Sequence, residues 1–167
     1  DVHYQESGAV AAGVMFRKWQ DARSEQILTA EVADVAEYVP GEFYQRELPC
    51  LLALLDKLKK EPTCIVVDGF VFLDGHTEAG LGKHLYDALN GSVPVIGVAK
   101  SAFKDVPPET EIYRGESKHP LYVTSVGMSL EEAKAHIAEM HGKFRLPTLL
   151  KKADQACRKK PTEVKSS

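Results

Sequence analysis

Cys64-Ile65-Val66-Val67-Asp68-Gly69 is the stretch whose reading decides the fold. An apolar run this short, rich in β-branched residues and closed by glycine, is the pattern of a strand buried on both faces. Asp68 stands at its carboxyl end, where open α/β sheets keep their ligands. Asp-Gly is also a common turn pair, so the weight placed on Asp68 depends on what else the chain brings to it.

Working outward from this strand, Leu81, Leu85 and Leu89 mark a helix closed by Asn90-Gly91, and Val93–Ala99 is a second buried strand ending in Lys100. Strand, helix and strand in this order imply a right-handed parallel crossover, which brings Asp68 and Lys100 to the same sheet edge. On the amino-terminal side, Glu47, Leu48, Leu51, Leu52, Leu55 and Leu58 recur at helical spacing, giving a helix over about 43–59 with Glu47 at its start. Pro49 is tolerated in its first turns. Glu37-Tyr38-Val39-Pro40-Gly41 before it is a rigid loop, because proline fixes φ and glycine permits a left-handed turn.

The chain opens on Asp1-Val2-His3-Tyr4, which has the character of the tail of a truncated strand. It pairs with Ala9–Phe16 across the polar turn Gln5–Gly8, and Glu25–Val32 supplies a third antiparallel strand. After Lys100, Ser101–Lys118 is loop-like with a short strand near Glu111–Arg114. Leu121–Val126 is the last clear strand, and Ser129-Leu130-Glu131-Glu132 is a capping box opening a helix to about His141. A basic helix over about 148–160 follows Pro147. We therefore expect one domain over residues 1–167, of class α/β, with a ribonuclease H-like mixed central sheet flanked by helices. A doubly wound nucleotide-binding fold is disfavoured, since no G-x-G-x-x-G follows a strand and Gly80-Leu81-Gly82-Lys83 lacks the spacing of a phosphate loop.

Composition narrows the function. With 167 residues, 44% hydrophobic content and a net charge of −3, the chain can bury a core but has no global field for coating nucleic acid. Its apolar runs are too short to cross a bilayer, and no secretory segment opens it. We expect a cytoplasmic monomer. Cys50, Cys64 and Cys157 suggest neither a disulfide framework nor a zinc site. In a ribonuclease H-like sheet the first and fourth strands are neighbours, so Asp1 and Asp68 would face each other and Glu47 would join them. Three carboxylates are a hard-oxygen set suited to Mg²⁺ or Mn²⁺, and Lys100 is placed to stabilise charge developing on a phosphate.

These residues resemble the endonuclease V family, the deoxyinosine 3′ endonucleases. Asp1-Val2-His3-Tyr4 is similar to the first-strand motif with its catalytic Asp, Tyr38-Val39-Pro40-Gly41 to the Pro-Tyr-Ile-Pro-Gly wedge, and Tyr44-Gln45-Arg46-Glu47-Leu48-Pro49 to the Phe-Arg-Glu segment. Val66-Val67-Asp68-Gly69 is similar to Val-Asp-Gly, Ile96-Gly97-Val98-Ala99-Lys100 to Gly-Val-Ala-Lys, and Phe144-Arg145-Leu146-Pro147 with Ala153-Asp154 to the carboxyl-terminal Tyr-Arg-Leu-Pro and Ala-Asp. The resemblance implies that Asp1, Glu47 and Asp68 organise Mg²⁺ or Mn²⁺ and that Lys100 lies near the scissile phosphate. It further implies that Tyr38, Val39, Pro40 and Gly41 form a wedge at a turned-out base, with Gly69, His76 and Arg145 as further nucleic-acid contacts.

The implied partner is a DNA or RNA strand containing a deaminated base, hypoxanthine, with cleavage on its 3′ side. Two departures stand out. Asp68-Gly69-Phe70-Val71 replaces the family's Asp-Gly-His-Gly, and Val126-Gly127-Met128 replaces its Gly-His. They give a second reading, a nucleic-acid-binding relative with altered base specificity or lost cleavage. A third is an interaction module acting through the basic carboxyl-terminal helix.

Overall fold

The computed structural model describes residues 1–5, 8–33, 44–103 and 105–158. Tyr38, Val39, Pro40 and Gly41, and the tail beyond 158, lie outside the described residues. The elements run β1 (Val2–Gln5), β2 (Gly8–Met15), β3 (Gln26–Ala33), α1 (Tyr44–Leu55), β4 (Ile65–Asp68), α2 (Leu81–Ala88), β5 (Val95–Ala99), β6 (Glu111–Ile112), β7 (Leu121–Val126), α3 (Leu130–Glu139) and α4 (Thr148–Cys157). The expected mixed α/β class is present, but its strands form two ladders where one sheet was expected. An antiparallel sheet has the order β1-β2-β3, and a mixed sheet has the order β4-β5-β7-β6. Among the described residues β1 pairs with β2 alone, so the expected neighbourhood of the first and fourth strands is not a hydrogen-bonded one.

The first sheet is thin by composition. Gly8-Ala9-Val10-Ala11-Ala12-Gly13 carries small side chains on both faces, and helices approach from both sides. Ala9 and Ala11 pack with Cys50 and Leu54 of α1, and Ala12 packs with Ala156 and Cys157 of α4. Gly13 is required by this closeness, since a Cβ there would come within 2.9 Å of Leu54. In the second sheet, β4 and β5 run parallel with Ile65 opposite Val95, as a strand–helix–strand crossover dictates. One face carries Val67 and Val95 against Leu51, Leu81 and Leu85, and the other carries Ile96, Val98 and Val123 against Ala133, Ile137 and Leu149. Both faces are covered, which is why β5 is apolar throughout.

Helix ends follow local chemistry. α1 stops at Leu55, four residues before the expected end, because Lys57 and Leu58 donate to Leu54 and Leu55 in tighter three-residue turns. The capping box is realised on one arm: the Ser129 hydroxyl accepts from the Glu132 N–H at 3.1 Å. α4 begins after Pro147 and ends at Cys157, within the expected 148–160.

Thr124 ties the second sheet to the loop after β4, its buried Oγ1 accepting the Val71 N–H at 2.8 Å. Thr124→Val keeps the shape and orphans that donor. It should cost about 1–3 kcal/mol of unfolding free energy, read from a urea melt.

Candidate active site

Asp68 ends β4, and the turn after it sets its exposure. Gly69 takes φ of +142°, a conformation that favours glycine, and redirects the chain so that Phe70 and Val71 are buried. Gly97 on β5 makes room for this turn, since a Cβ there would stand 2.5 Å from the Gly69 carbonyl oxygen. Asp68 is left at the open edge of the sheet beside Lys100, the residue after β5. The Lys100 Nζ donates to Asp68 Oδ2 at 3.3 Å, and both side chains are 38% exposed. The crossover argument anticipated this pair. In that much water the contact positions the lysine more than it stabilises the fold.

Asp1 and Glu47 reach the same place from other elements. Asp1 is anchored by its α-nitrogen, which donates to Ala12 O at 2.8 Å, and its Oδ1 accepts from the Val2 N–H at 2.8 Å. Glu47 sits in the first turn of α1. Asp1, Glu47 and Asp68 line one cavity of about 280 Å³, but among the described residues the ligand atoms of Glu47 and Asp68 do not fall in the group close enough to Asp1 to share an ion. Burial, with the nearby Asp68 charge adding to it, pushes Glu47 up to about 7, against the pull of Arg46.

A fourth carboxylate joins them. The ligand atoms of Asp1, Asp154 and Cys157 lie within 4.8 Å of one another. Asp154 belongs to the Ala153-Asp154 pair that carries part of the family resemblance, but sequence reasoning gave it no role. The missed signal was its place on α4, whose small Ala156 packs on Ala12 and carries the helix against the start of β1. Asp154 Oδ1 accepts from Arg158 Nε at 3.1 Å. Burial raises the Cys157 thiol, and its Sγ donates to the Asp154 carbonyl at 3.1 Å, so sulfur remains a protonated neighbour. The donors are then carboxylate oxygens, a set that fits Mg²⁺ or Mn²⁺ better than a thiolate-seeking ion.

The other expected contacts have structural partners. Arg145 Nη1 donates to the Lys100 carbonyl at 3.0 Å and the Pro120 carbonyl at 3.3 Å, so this side chain holds the end of β5 from which Lys100 projects. Buried Arg114 donates to the carbonyls of Met140, Gly142, Phe144 and Arg145, fastening the α3–α4 connection that carries Arg145. His76 lies in a turn organised by Asp74, whose Oδ1 accepts from the N–H groups of His76, Thr77 and Glu78, and its Nε2 meets Glu109 Oε1 at 3.0 Å. The Thr77 hydroxyl, which donates to Asp74 Oδ2 at 2.6 Å, and these N–H groups hold the Asp74 carboxyl well below the usual carboxylate range. Where the family has Gly-His, Met128 packs at the edge of the second core and its carbonyl accepts from the Ser125 hydroxyl at 3.0 Å.

Carboxylates at strand and helix ends, beside a lysine and on a mixed sheet flanked by helices, define the ribonuclease H-like class of phosphodiester-cutting folds. The endonuclease V profile matches residues 1–118, and the chain belongs to the endonuclease V family. Endonuclease V of Streptomyces avermitilis is 32% identical over 183 residues, spanning 95% of this chain and 77% of its own length. That of Streptomyces coelicolor is 33% identical over 142 residues, spanning 72% of this chain and 59% of its own. The crystal structure of the S. avermitilis protein superposes with a TM-score of 0.75 at 30% identity, covering 99% of this chain and 80% of that one. A Ciona intestinalis endonuclease V, solved with a 24mer DNA containing an inosine followed by a ribo-adenosine, superposes with a TM-score of 0.76, covering 99% of this chain and 84% of that one. Its 23% identity is a likeness of fold.

Glu47 makes stability fall with rising pH. Its folded pKa lies above the ordinary 4.5, so between there and about 7 the folded state holds more protons than the unfolded state. The protonated form is favoured below that window, and the benefit is lost as pH climbs through about 7. Glu47→Gln should flatten this slope and raise stability at pH 8 by on the order of 1–3 kcal/mol, measured by urea melts from pH 5 to 8.

Proposed function

We propose that this chain is a Mg²⁺- or Mn²⁺-dependent endonuclease that cuts a nucleic-acid strand 3′ to a deaminated base, acting as a cytoplasmic monomer. The observation that carries this reading is the convergence of Asp1, Glu47 and Asp68 on one cavity, with Lys100 Nζ 3.3 Å from Asp68. Asp1, Glu47, Asp68 and Asp154 are the residues that would hold the ion. When bound, it supplies charge neutralisation at a phosphate oxygen and a lowered pKa for an attacking water. Lys100 balances negative charge on the phosphate, and Arg145 keeps it aimed there through its hydrogen bond to the Lys100 carbonyl. Glu47, with a carboxyl titrating near neutrality, releases its proton to become an oxygen donor. The inosine-containing DNA held by the Ciona neighbour supports a deaminated base as the feature recognised. Tyr38, Val39, Pro40 and Gly41 are the residues proposed to fill the space it vacates.

The burial of Phe70 and Val71 favours a second reading. Side chains committed to the core are not free to read a base edge, so the protein would be a nucleic-acid-binding relative with altered base specificity or lost cleavage.

Incubation with inosine-containing and matched control strands, DNA and RNA, with Mn²⁺ or Mg²⁺ separates the two. Under the first reading a cut appears only with metal and inosine, and Asp68→Asn lowers its rate by about a hundredfold or more. Salt-sensitive binding with no metal-dependent product supports the second. Calorimetric titration with Mn²⁺ in the absence of nucleic acid should show affinity rising with pH up to about 7, because the ion competes with the Glu47 proton. Asp154→Asn should weaken that binding by about tenfold or more.

A further inference from the structure

Two large apolar side chains stand out in solvent on segments that the fold ties together: Tyr113 is 61% exposed and Phe144 is 66% exposed. Tyr113 follows β6, where alternation sends Ile112 into the core, Tyr113 out and Arg114 back in. Phe144 lies in the α3–α4 connection, between exposed Lys143 and half-buried Arg145. The Arg114 guanidinium donates to the Phe144 carbonyl at 2.7 Å and the Arg145 carbonyl at 3.1 Å, and also to those of Met140 and Gly142. Gly115 takes φ of +61° and passes so near the Lys143 carbonyl oxygen that a Cβ there would clash with it. Backbone contacts on both sides of Phe144 thus fasten its segment to the one that carries Tyr113.

The rings have polar partners of their own. Tyr113 Oη donates to Glu111 Oε1 at 3.1 Å, and Lys143 Nζ stands 5.5 Å from the Phe144 ring centroid, a cation beside an aromatic face. The β6–β7 connection adds exposed Lys118. This surface is joined to the candidate site through the residue after Phe144, because Arg145 Nη1 donates both to the Pro120 carbonyl of that connection and to the Lys100 carbonyl. Scattered exposed aromatics need no explanation. Two on segments locked by a buried arginine, edged by lysines and continuous with Lys100, offer what a base and its phosphate bind together: a π-face and a cation.

We propose that Tyr113 and Phe144 form a stacking platform for unpaired bases that flank the phosphate at Lys100, with Lys143 and Lys118 holding the phosphates between them. The occupant is a single strand, since a base inside a duplex already has both faces covered by its neighbours. A polyanion is favoured over a protein partner because Lys100, Lys118 and Lys143 outnumber exposed Glu116 in a chain whose overall charge is −3. Stacking is tolerant of sequence, so the platform supplies affinity and alignment and leaves base choice to other residues. The proposal rests on reading the site as one that binds nucleic acid, and it holds whether or not the strand is cut.

The test is fluorescence anisotropy with labelled single strands of about sixteen and about four nucleotides, each containing inosine. Phe144→Ala and Tyr113→Ala should each weaken binding of the long strand by about tenfold and leave the short strand unaffected. Their urea melts should match that of the parent chain, since both rings are exposed. Lys143→Gln should lower the salt dependence by about one phosphate contact, a slope that Phe144→Ala leaves unchanged. Phe144→Trp should retain binding, and the long strand should quench its emission beyond any change in Trp19, the chain's single natural tryptophan. Equal affinity of the parent and the Tyr113→Ala/Phe144→Ala double variant for the long strand overturns the platform while leaving the nuclease reading intact. An equal loss on both strands also overturns it. So does a parent chain that sediments as a dimer and a double variant that sediments as a monomer, since a second copy then covers the rings. Phe144-dependent binding without metal-dependent cleavage upholds the platform and sinks the nuclease reading alone, whereas a parent chain that binds neither strand overturns both.

Discussion

Repulsion among carboxylates is the constraint around which this molecule is arranged. Asp1 precedes β1, Glu47 opens α1, Asp68 closes β4 and Asp154 lies on α4, so four separate elements deliver like charge to one end of the fold. Gathering them destabilises the folded state: burial, and after it the Asp68 charge, raise the pKa of Glu47. Partial relief comes from Lys100 beside Asp68 and Arg158 beside Asp154.

The scaffold around the cluster is built to hold that geometry. Glycines at 69 and 97 permit the backbone approach that buries the chain beyond Asp68 and leaves its carboxylate at the sheet edge. Two arginines act on backbone carbonyls: Arg114 gathers the α3–α4 connection, and Arg145, held by that connection, grips the carbonyl of Lys100. Charged side chains that bind main-chain oxygens in this way orient a site without competing for its ligand. α4 carries Asp154 to the same end of the fold, with its carboxylate within 4.8 Å of that of Asp1.

Much of this was legible in the residues. The Ile-Val-Val run before Asp68, the Leu81 and Leu85 helix and the apolar strand ending in Lys100 predicted a parallel crossover, and Asp68 and Lys100 do meet at its edge. Ser129 and Glu132 announced the start of α3. Asp154 was not assigned because its chemistry depends on α4 folding back over Ala12, a contact that leaves no periodic signature. Arg145 reads in the sequence as a free cation for nucleic acid, whereas the fold commits one arm of its guanidinium to two carbonyls.

The sequence by itself determined the local elements and their order, because burial patterning, capping and turn residues act over a few neighbours. Only the tertiary structure decided which carboxylates share a cavity, which of them burial drives toward neutrality, and that the strands divide into two ladders. Those outcomes depend on distances between elements far apart in the chain, and on how completely each strand edge finds a partner. Asp68 has the same position in the sequence under either outcome. Its meaning comes from Asp1, Glu47, Lys100 and Asp154 arriving beside it.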